Sequence, residues 1–250
     1  VGNAIKNFYE NINKYKLSYF DKYKNIGSIE DVKHSDIIFI CLPTPFKDNK
    51  YDITEIESVC NILKMNNVKS DIIIKSTILP GTTNDLIKKY NLNIIHNPEF
   101  LSQKTALKDF ENQSHIIIGS NNKETLNRIK TFYESDFSKA EFTLTIPEET
   151  ELIKLSLNNF YCVKIQYFTE IYLLCEKLNL NYENIKTSML KNNWINPMHT
   201  NVPGTDGKIS YGGMCLPKDS MALFNFMKNN IDNYKILEAT ITERNILRNN

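Results

Sequence analysis

The sequence predicts an α/β fold: a doubly wound, mainly parallel sheet followed by an all-α domain with a long connecting helix. Three observations carry this reading. Short apolar runs alternate with stretches of helical periodicity up to residue 146. The runs are unbroken rather than alternating in polarity, as suits strands covered on both faces. Beyond Pro147 helical patterns continue with no convincing strand.

The runs are KLSYFD (Lys16 to Asp21), DIIFICL (Asp36 to Leu42), DIIIKS (Asp71 to Ser76), LNIIHN (Leu92 to Asn97), HIIIGS (His115 to Ser120) and EFTLTI (Glu141 to Ile146). β-Branched and aromatic residues dominate them, favouring strands. DITEIESVCNILKMN opens on Asp52 as an N-cap and repeats apolar residues at helical spacing, and NKETLNRIKTFYES follows the same rule. Alternation of strand and helix implies a doubly wound sheet. From Pro147 to about Leu178 the chain reads as one helix with proline in its first turn. Further helices are expected over Tyr182 to Lys191 and Pro217 to Asn249. The expected domains are therefore 1–146 and 147–250.

The chain has 250 residues, 30 basic and 29 acidic, for a formal charge of +1. No basic block is present to neutralise a phosphate backbone, which argues against nucleic acid as a partner. The apolar runs are too short to span a bilayer, so no membrane role is expected. Five cysteines in mostly apolar settings do not suggest a disulfide framework, and neither they nor the four histidines show paired metal-ligand spacing. A reducing, cytoplasmic setting with no metal is expected. The opening VGNAI, with Val1 in place of methionine, reads as a fragment cut within a motif.

Gly2 precedes Asp21, at the end of the first run, by 19 positions. That is the spacing between the last glycine of a Rossmann turn and the carboxylate that binds the adenosine ribose, favouring NAD over NADP; an ordinary βα turn gives the same pattern. CLPTP (Cys41 to Pro45), STILPGTT (Ser76 to Thr83) and NPEF (Asn97 to Phe100) each follow an apolar run. Loops there face the ligand crevice of a doubly wound sheet, although Pro and Thr also serve plain tight turns.

GKISYGGMCLPKDS (Gly207 to Ser220) sets Cys215 among charges and glycines, unlike the other four cysteines. If CLPKDS begins a helix, Asp219 shares the thiol's face, and a helix N-terminus with nearby cations favours the thiolate. Gly212 and Gly213 leave room for a substrate to approach the sulfur. Lys154 and Asn158, four apart on the long helix, share a face. They are either solvated or aimed as ammonium and amide at an oxyanion.

Together CLPTP, STILPGTT, NPEFL, ELIKLSLNNF and GTDGKISYGGMCLPKD resemble the UDP-glucose/GDP-mannose dehydrogenase family in order and approximate spacing. The resemblance implies an NAD-dependent, four-electron oxidation of a nucleotide sugar's C6 alcohol to the carboxylate, through a cysteine thiohemiacetal and thioester, UDP-glucose being the leading substrate. It implies Cys215 as nucleophile, Asp219 as its partner, and Lys154 and Asn158 as oxyanion stabilisers that also touch substrate. Thr77 would hold a water and Glu99 would be the base for hydrolysis. Gly2, Asp21, Thr44, Thr77 and Gln103 would belong to the NAD site, while Tyr211, Gly212 and Gly213 would border the sugar. Gln103 stands where many members carry a second glutamate; an amide hydrogen-bonds but cannot act as a base. The long helix would form a homodimer. The first strand with its leading glycines, and a C-terminal nucleotide-binding domain, have no counterpart in the sequence. The alternatives are a related GDP-mannose or UDP-N-acetylhexosamine dehydrogenase, and an inactive, truncated remnant that only dimerises. A cysteine hydrolase lacks a histidine near these motifs.

Overall fold

A computed structural model describes residues 1–102 and 104–248. Its chain divides into two compact units, Val1–Pro45 with Tyr51–Lys154, and Phe46–Lys50 with Leu155–Asn250. In chain order the strands are β1 (Ile37–Ile40), the hairpin β2 (Phe46–Lys47) and β3 (Lys50–Tyr51), β4 (Asp71–Ile74), β5 (Ile94–His96), β6 (His115–Gly119) and β7 (Glu141–Thr145). The helices are α1 (Gly2–Ile12), α2 (Ile29–Val32), α3 (Thr54–Met65), α4 (Thr82–Tyr90), α5 (Ala106–Glu111), α6 (Lys123–Glu134), α7 (Pro147–Leu178), α8 (Tyr182–Leu190), α9 (Leu216–Asn230) and α10 (Lys235–Arg248).

The first unit is the expected doubly wound sheet, ordered β1-β4-β5-β6-β7. Residues alternate between its faces as strand geometry demands. Ile73, Ile95, Ile116 and Ile118 pack with Phe8 and Tyr9 of α1, Phe110 of α5 and Ile129 and Tyr133 of α6. Ile40, Ile72, Ile74 and Ile94 face the other way, against Ile56, Cys60 and Leu63 of α3 and Leu86 and Tyr90 of α4. Burial on both sides explains why these strands read as unbroken apolar runs. The β1–β4–β5 and β6–β7 pairs are parallel, but β5 meets β6 antiparallel at His96 and Gly119, so the sheet is mixed.

Two expectations are corrected. Lys16 to Asp21 forms no strand; its one sheet-like contact is the bridge between Asp21 and Ile26. A strand exists only through a hydrogen-bonded neighbour, and this run lies beside none. Tyr15 and Leu17 still pack against the core. The helix expected over Pro217 to Asn249 is two helices, with Ile231 extended at φ −144° and ψ 160° between them. Asn229, Asn230, Asp232 and Asn233 cluster at the break, and such side chains offer the backbone alternatives to helical bonds.

Apart from residues 46–50 of the hairpin, the regular elements described in the second unit are helices, with an irregular segment over 191–215. Phe168 and Cys175 of α7 pack against Tyr182 of α8 and Val202. No helix among the described residues is long and apolar enough to cross a membrane.

Within the first unit a buried carboxylate ties the start of α7 to α4. Glu151 Oε2 accepts the Gly81 N–H (2.6 Å), and Oε1 accepts the Thr83 N–H (2.8 Å) and hydroxyl (2.6 Å). It thereby satisfies orphan donors at the start of α4. Desolvation raises its pKa from 4.5 to about 7, against the hydrogen bonds from Thr83 and Gly81. The folded state thus keeps a proton that the unfolded chain releases near 4.5, and the associated stability is lost as pH rises towards 7. The stability advantage of the wild type over Glu151→Ala should therefore shrink by up to ~3 kcal/mol between pH 5 and 8. Thermal or urea melts at several pH values would measure it, and an advantage that grows with pH would contradict the assignment.

Candidate active site

The carboxyl ends of β1, β4 and β5 carry a connected set of polar groups. The Ser76 hydroxyl donates to the Leu42 carbonyl (2.6 Å) and accepts the Leu42 N–H (3.1 Å). The Thr44 hydroxyl donates to the Thr77 carbonyl (2.7 Å). Two of the loops singled out from sequence are thus pinned to each other, with Thr44 buried and Thr77 half-buried. Lys75, fully buried, donates to Asn97 Oδ1 (2.7 Å), which also accepts the Tyr133 hydroxyl (2.5 Å), while Asn97 Nδ2 donates to the Ile117 carbonyl. Burial lowers the Lys75 pKa to about 8. It also lowers that of His96, held by Thr150 and the Ser76 carbonyl, to about 3.

Glu99 and Lys154 come together. The Lys154 ammonium donates to the Glu99 backbone carbonyl, lies 3.6 Å from Glu99 Oε1 and sits 5.0 Å from the centroid of the Phe100 ring. Glu99 Oε2 accepts the Leu101 N–H. Lys154 is buried, not the solvated surface lysine its sequence setting also allowed.

At the start of α1, a Cβ on Gly2 would lie 3.3 Å from Cys41 Cβ. A glycine there lets the helix N-terminus approach the end of β1 closely, the role of the third glycine in a dinucleotide turn. Burial raises the Cys41 thiol pKa to about 11. Asp21 stands at the isolated bridge to Ile26, where a turn opens, not at a strand end; its Oδ1 accepts the Tyr23 and Lys24 N–H groups and Oδ2 lies 3.4 Å from Lys24 Nζ. These contacts, chiefly the Lys24 N–H, hold its pKa below the usual value. Gln103 lies outside the described residues.

In the second unit Cys215 is the N-cap of α9, with Pro217 in the first turn, and its carbonyl accepts the Asp219 N–H (2.9 Å). It is the exposed cysteine of the five; Cys60, Cys162 and Cys175 are buried and Cys41 is intermediate. Asp219, 1% exposed, accepts Asn158 Nδ2 at Oδ2 (2.6 Å) and Lys218 Nζ at Oδ1 (2.5 Å). Its backbone carbonyl accepts Asn159 Nδ2 (3.1 Å). A buried carboxylate is tolerable only with such donors. Tyr211 is buried, its hydroxyl 3.2 Å from Ser220 Oγ and its pKa raised by burial to about 12. The space beside Gly212 is filled: a Cβ would lie 2.3 Å from the Arg248 guanidinium and 2.9 Å from Asp206. Room at Gly212 is therefore taken by protein. Gly213, at φ +77°, has nothing within 4 Å of its Cβ position.

Sequence reading passed over Lys75, Asn159, Glu151, Arg244 and Arg248. Lys75 carried a signal, a charge continuing an otherwise apolar strand. The others showed none, because their partners are distant in sequence. Among the described residues no group of three or more His, Cys, Asp or Glu is placed to hold a metal.

Comparison with known proteins identifies the family. Residues 8–136 match the NAD-binding domain of the UDP-glucose/GDP-mannose dehydrogenase family, and residues 148–245 match that family's central domain. The chain is 34% identical over 221 residues to UDP-glucose 6-dehydrogenase of Rickettsia bellii, covering 85% of this chain and 50% of that protein. It is 31% identical over 245 residues to that of Campylobacter jejuni, covering 95% and 60%. The chain thus spans about half the length of such curated relatives. Among solved structures, a UDP-glucose dehydrogenase from Pyrobaculum islandicum superposes with a TM-score of 0.76 at 24% identity, covering 87% of this chain and 52% of that one. A UDP-D-ManNAc dehydrogenase from Pyrococcus horikoshii gives 0.74 at 24% identity, covering 88% and 53%.

Two outcomes follow from the second-unit geometry. Iodoacetamide under native conditions should alkylate Cys215 first, at one thiol per chain, as read by peptide mass spectrometry; faster labelling at Cys41 or Cys162 would contradict the burial pattern. Asn158→Ala should cost roughly 1–3 kcal/mol in urea unfolding, because the buried Asp219 loses a donor.

Proposed function

The chain belongs to the UDP-glucose/GDP-mannose dehydrogenase family, and from that premise we propose that it serves the NAD-dependent oxidation of a nucleotide sugar's C6 alcohol to the carboxylate, UDP-glucose to UDP-glucuronate. The observation that carries the reading is the exposed thiol of Cys215 at the start of α9, one turn before a buried carboxylate that Asn158 holds. UDP-glucose is supported by the UDP-glucose 6-dehydrogenases of Rickettsia bellii and Rickettsia prowazekii, which are about a third identical to this chain.

The cofactor fit rests on Gly2 and Asp21. The α1 N-terminus, brought close to β1 by Gly2, offers backbone N–H groups to a pyrophosphate. Asp21 is a carboxylate available to ribose hydroxyls, provided they compete with the turn amides that it now accepts. Thr44 and Thr77 border the same strand ends. NAD, when bound, supplies the hydride acceptor for both oxidations.

The residues of the chain have separate tasks in this scheme. The Cys215 sulfur adds to the C6 aldehyde, forming a C–S bond while the carbonyl oxygen takes a proton and becomes the hydroxyl of a thiohemiacetal. Loss of hydride and that proton leaves a thioester. Water cleaves the C–S bond, releasing the acid and restoring the thiol. Sulfur suits both stages, as strong nucleophile and good leaving group. Lys154 and Asn158 supply the ammonium and amide that stabilise oxygen charge. Glu99, whose Oε1 is 3.6 Å from Lys154 Nζ, takes the proton of the hydrolytic water, and Thr77 holds that water. Asp219 fixes the Asn158 amide through their 2.6 Å bond.

We assign the homodimer contact to α7. Phe160, Tyr167 and Leu174 recur every seven residues and are 60, 52 and 52% exposed. Such a stripe on a helix is the seam of a helix pair.

Cys215→Ser should abolish acid formation, and unchanged glucuronate production would refute the nucleophile. NADH release measured across UDP-glucose, GDP-mannose and UDP-N-acetylhexosamines should be fastest with UDP-glucose. Tyr167→Glu with Leu174→Glu should convert a dimer to monomer in sedimentation velocity; an unchanged sedimentation coefficient would remove α7 from the interface.

A further inference from the structure

The segment that carries Cys215 has no secondary structure of its own before α9, yet its backbone is held at consecutive residues. Arg248, in the last turn of α10, donates from Nε to the Ile209 carbonyl (2.9 Å) and from Nη2 to the Ser210 carbonyl (2.6 Å). Its Nη1 donates to Asp206 Oδ2 (2.7 Å). Arg244, one turn earlier and on the same helical face, reaches the next carbonyl, Tyr211, from Nε (3.4 Å), and its guanidinium lies 5.7 Å from the centroid of the Tyr211 ring. Three successive carbonyls are therefore gripped by two guanidinium groups of one helix. A fork of fixed donors can do this and a single ammonium cannot.

The sequence of the loop is fitted to the grip. Ser210 sits at φ +62°, a conformation costly for a non-glycine residue, and its N–H donates to Thr169 Oγ1 (3.1 Å) while its hydroxyl donates to Gln166 Oε1 (2.6 Å). Gly212 has no left-handed backbone to explain it, but a Cβ would lie 2.3 Å from Arg248 Nη1. Glycine stands there so that the guanidinium can pass. Tyr211 passes the constraint on, its hydroxyl pairing with Ser220 in α9.

We propose that Arg248, assisted by Arg244, is a positioning residue for Cys215, and that Gly212 is glycine to admit the Arg248 guanidinium. The claim that the held residue is the nucleophile rests on the function proposed above; the clamp itself does not. It fixes the backbone carbonyls four to six residues before the thiol, on a loop whose Ser210 is also held by Thr169 and Gln166 of α7.

The test is native-state hydrogen exchange at two amides: Ser210, bonded to Thr169, and Asp219, bonded to the Cys215 carbonyl. In Arg248→Ala both should exchange about tenfold faster or more, while α7 and the sheet keep their protection. Gly212→Ala should do the same, because its methyl group evicts the guanidinium. The double variant should be no worse than Arg248→Ala alone, and Arg248→Lys should restore only part of the protection. Unchanged exchange at both amides would overturn the proposal. So would acceleration spread evenly over α7 in step with the melting temperature, or fully additive effects of the two substitutions. Should Arg248→Ala fail to fold, Gly212→Ala reads the same clamp. Repeating the measurement in Cys215→Ser keeps the clamp readout independent of the nucleophile assignment, which acid formation decides.

Discussion

Polar side chains that follow one another along α7 are the constraint on which the functional segments depend. Glu151 caps α4, Lys154 takes the Glu99 carbonyl, Asn158 and Asn159 take Asp219, and Gln166 and Thr169 take Ser210. All six are buried, so each is costly unless its partner arrives in the right place. Each bond therefore dictates where a loop remote in sequence must run. A long helix suits this task because its i to i−4 backbone ladder keeps the Cα atoms of these residues at fixed spacing and direction.

In the first unit, chemistry collects at the carboxyl ends of strands for a related reason. Strands buried on both faces leave polar groups only at their ends, and there Ser76, Thr44, Lys75 and Asn97 find partners in neighbouring loops. Burial lowers the pKa of both Lys75 and His96, to about 8 and about 3, which leaves the imidazole neutral. Glu99 and Lys154 stand beyond them, with Oε1 and Nζ 3.6 Å apart.

In the second unit the glycine pair before the thiol divides its labour. Gly213 adopts a left-handed backbone with open space beside it, whereas Gly212 yields its space to a guanidinium. Small residues near a reactive group are readily taken as room for a ligand. Here one of the two is room for another part of the protein.

The sequence alone determined the layout. Unbroken runs such as DIIIK and HIIIG suited strands covered on both sides, and β4 and β6 lie within them. Proline at the head of a long apolar-periodic stretch set the start of α7, and its length was legible from periodicity. The polar setting of Cys215 distinguished it from the other four cysteines, which lie in mostly apolar segments. Local pattern decided these features because local energetics produce them. Tertiary structure alone decided the rest. Lys16 to Asp21 has strand composition yet lies beside no neighbouring strand, and pairing is not a property of the run itself. Asp219 needed Asn158 from 61 residues away, and Gly212 needed Arg248 from another helix. Burial makes those partnerships compulsory, but which distant group supplies the donor is set by packing, and no spacing in the chain records it.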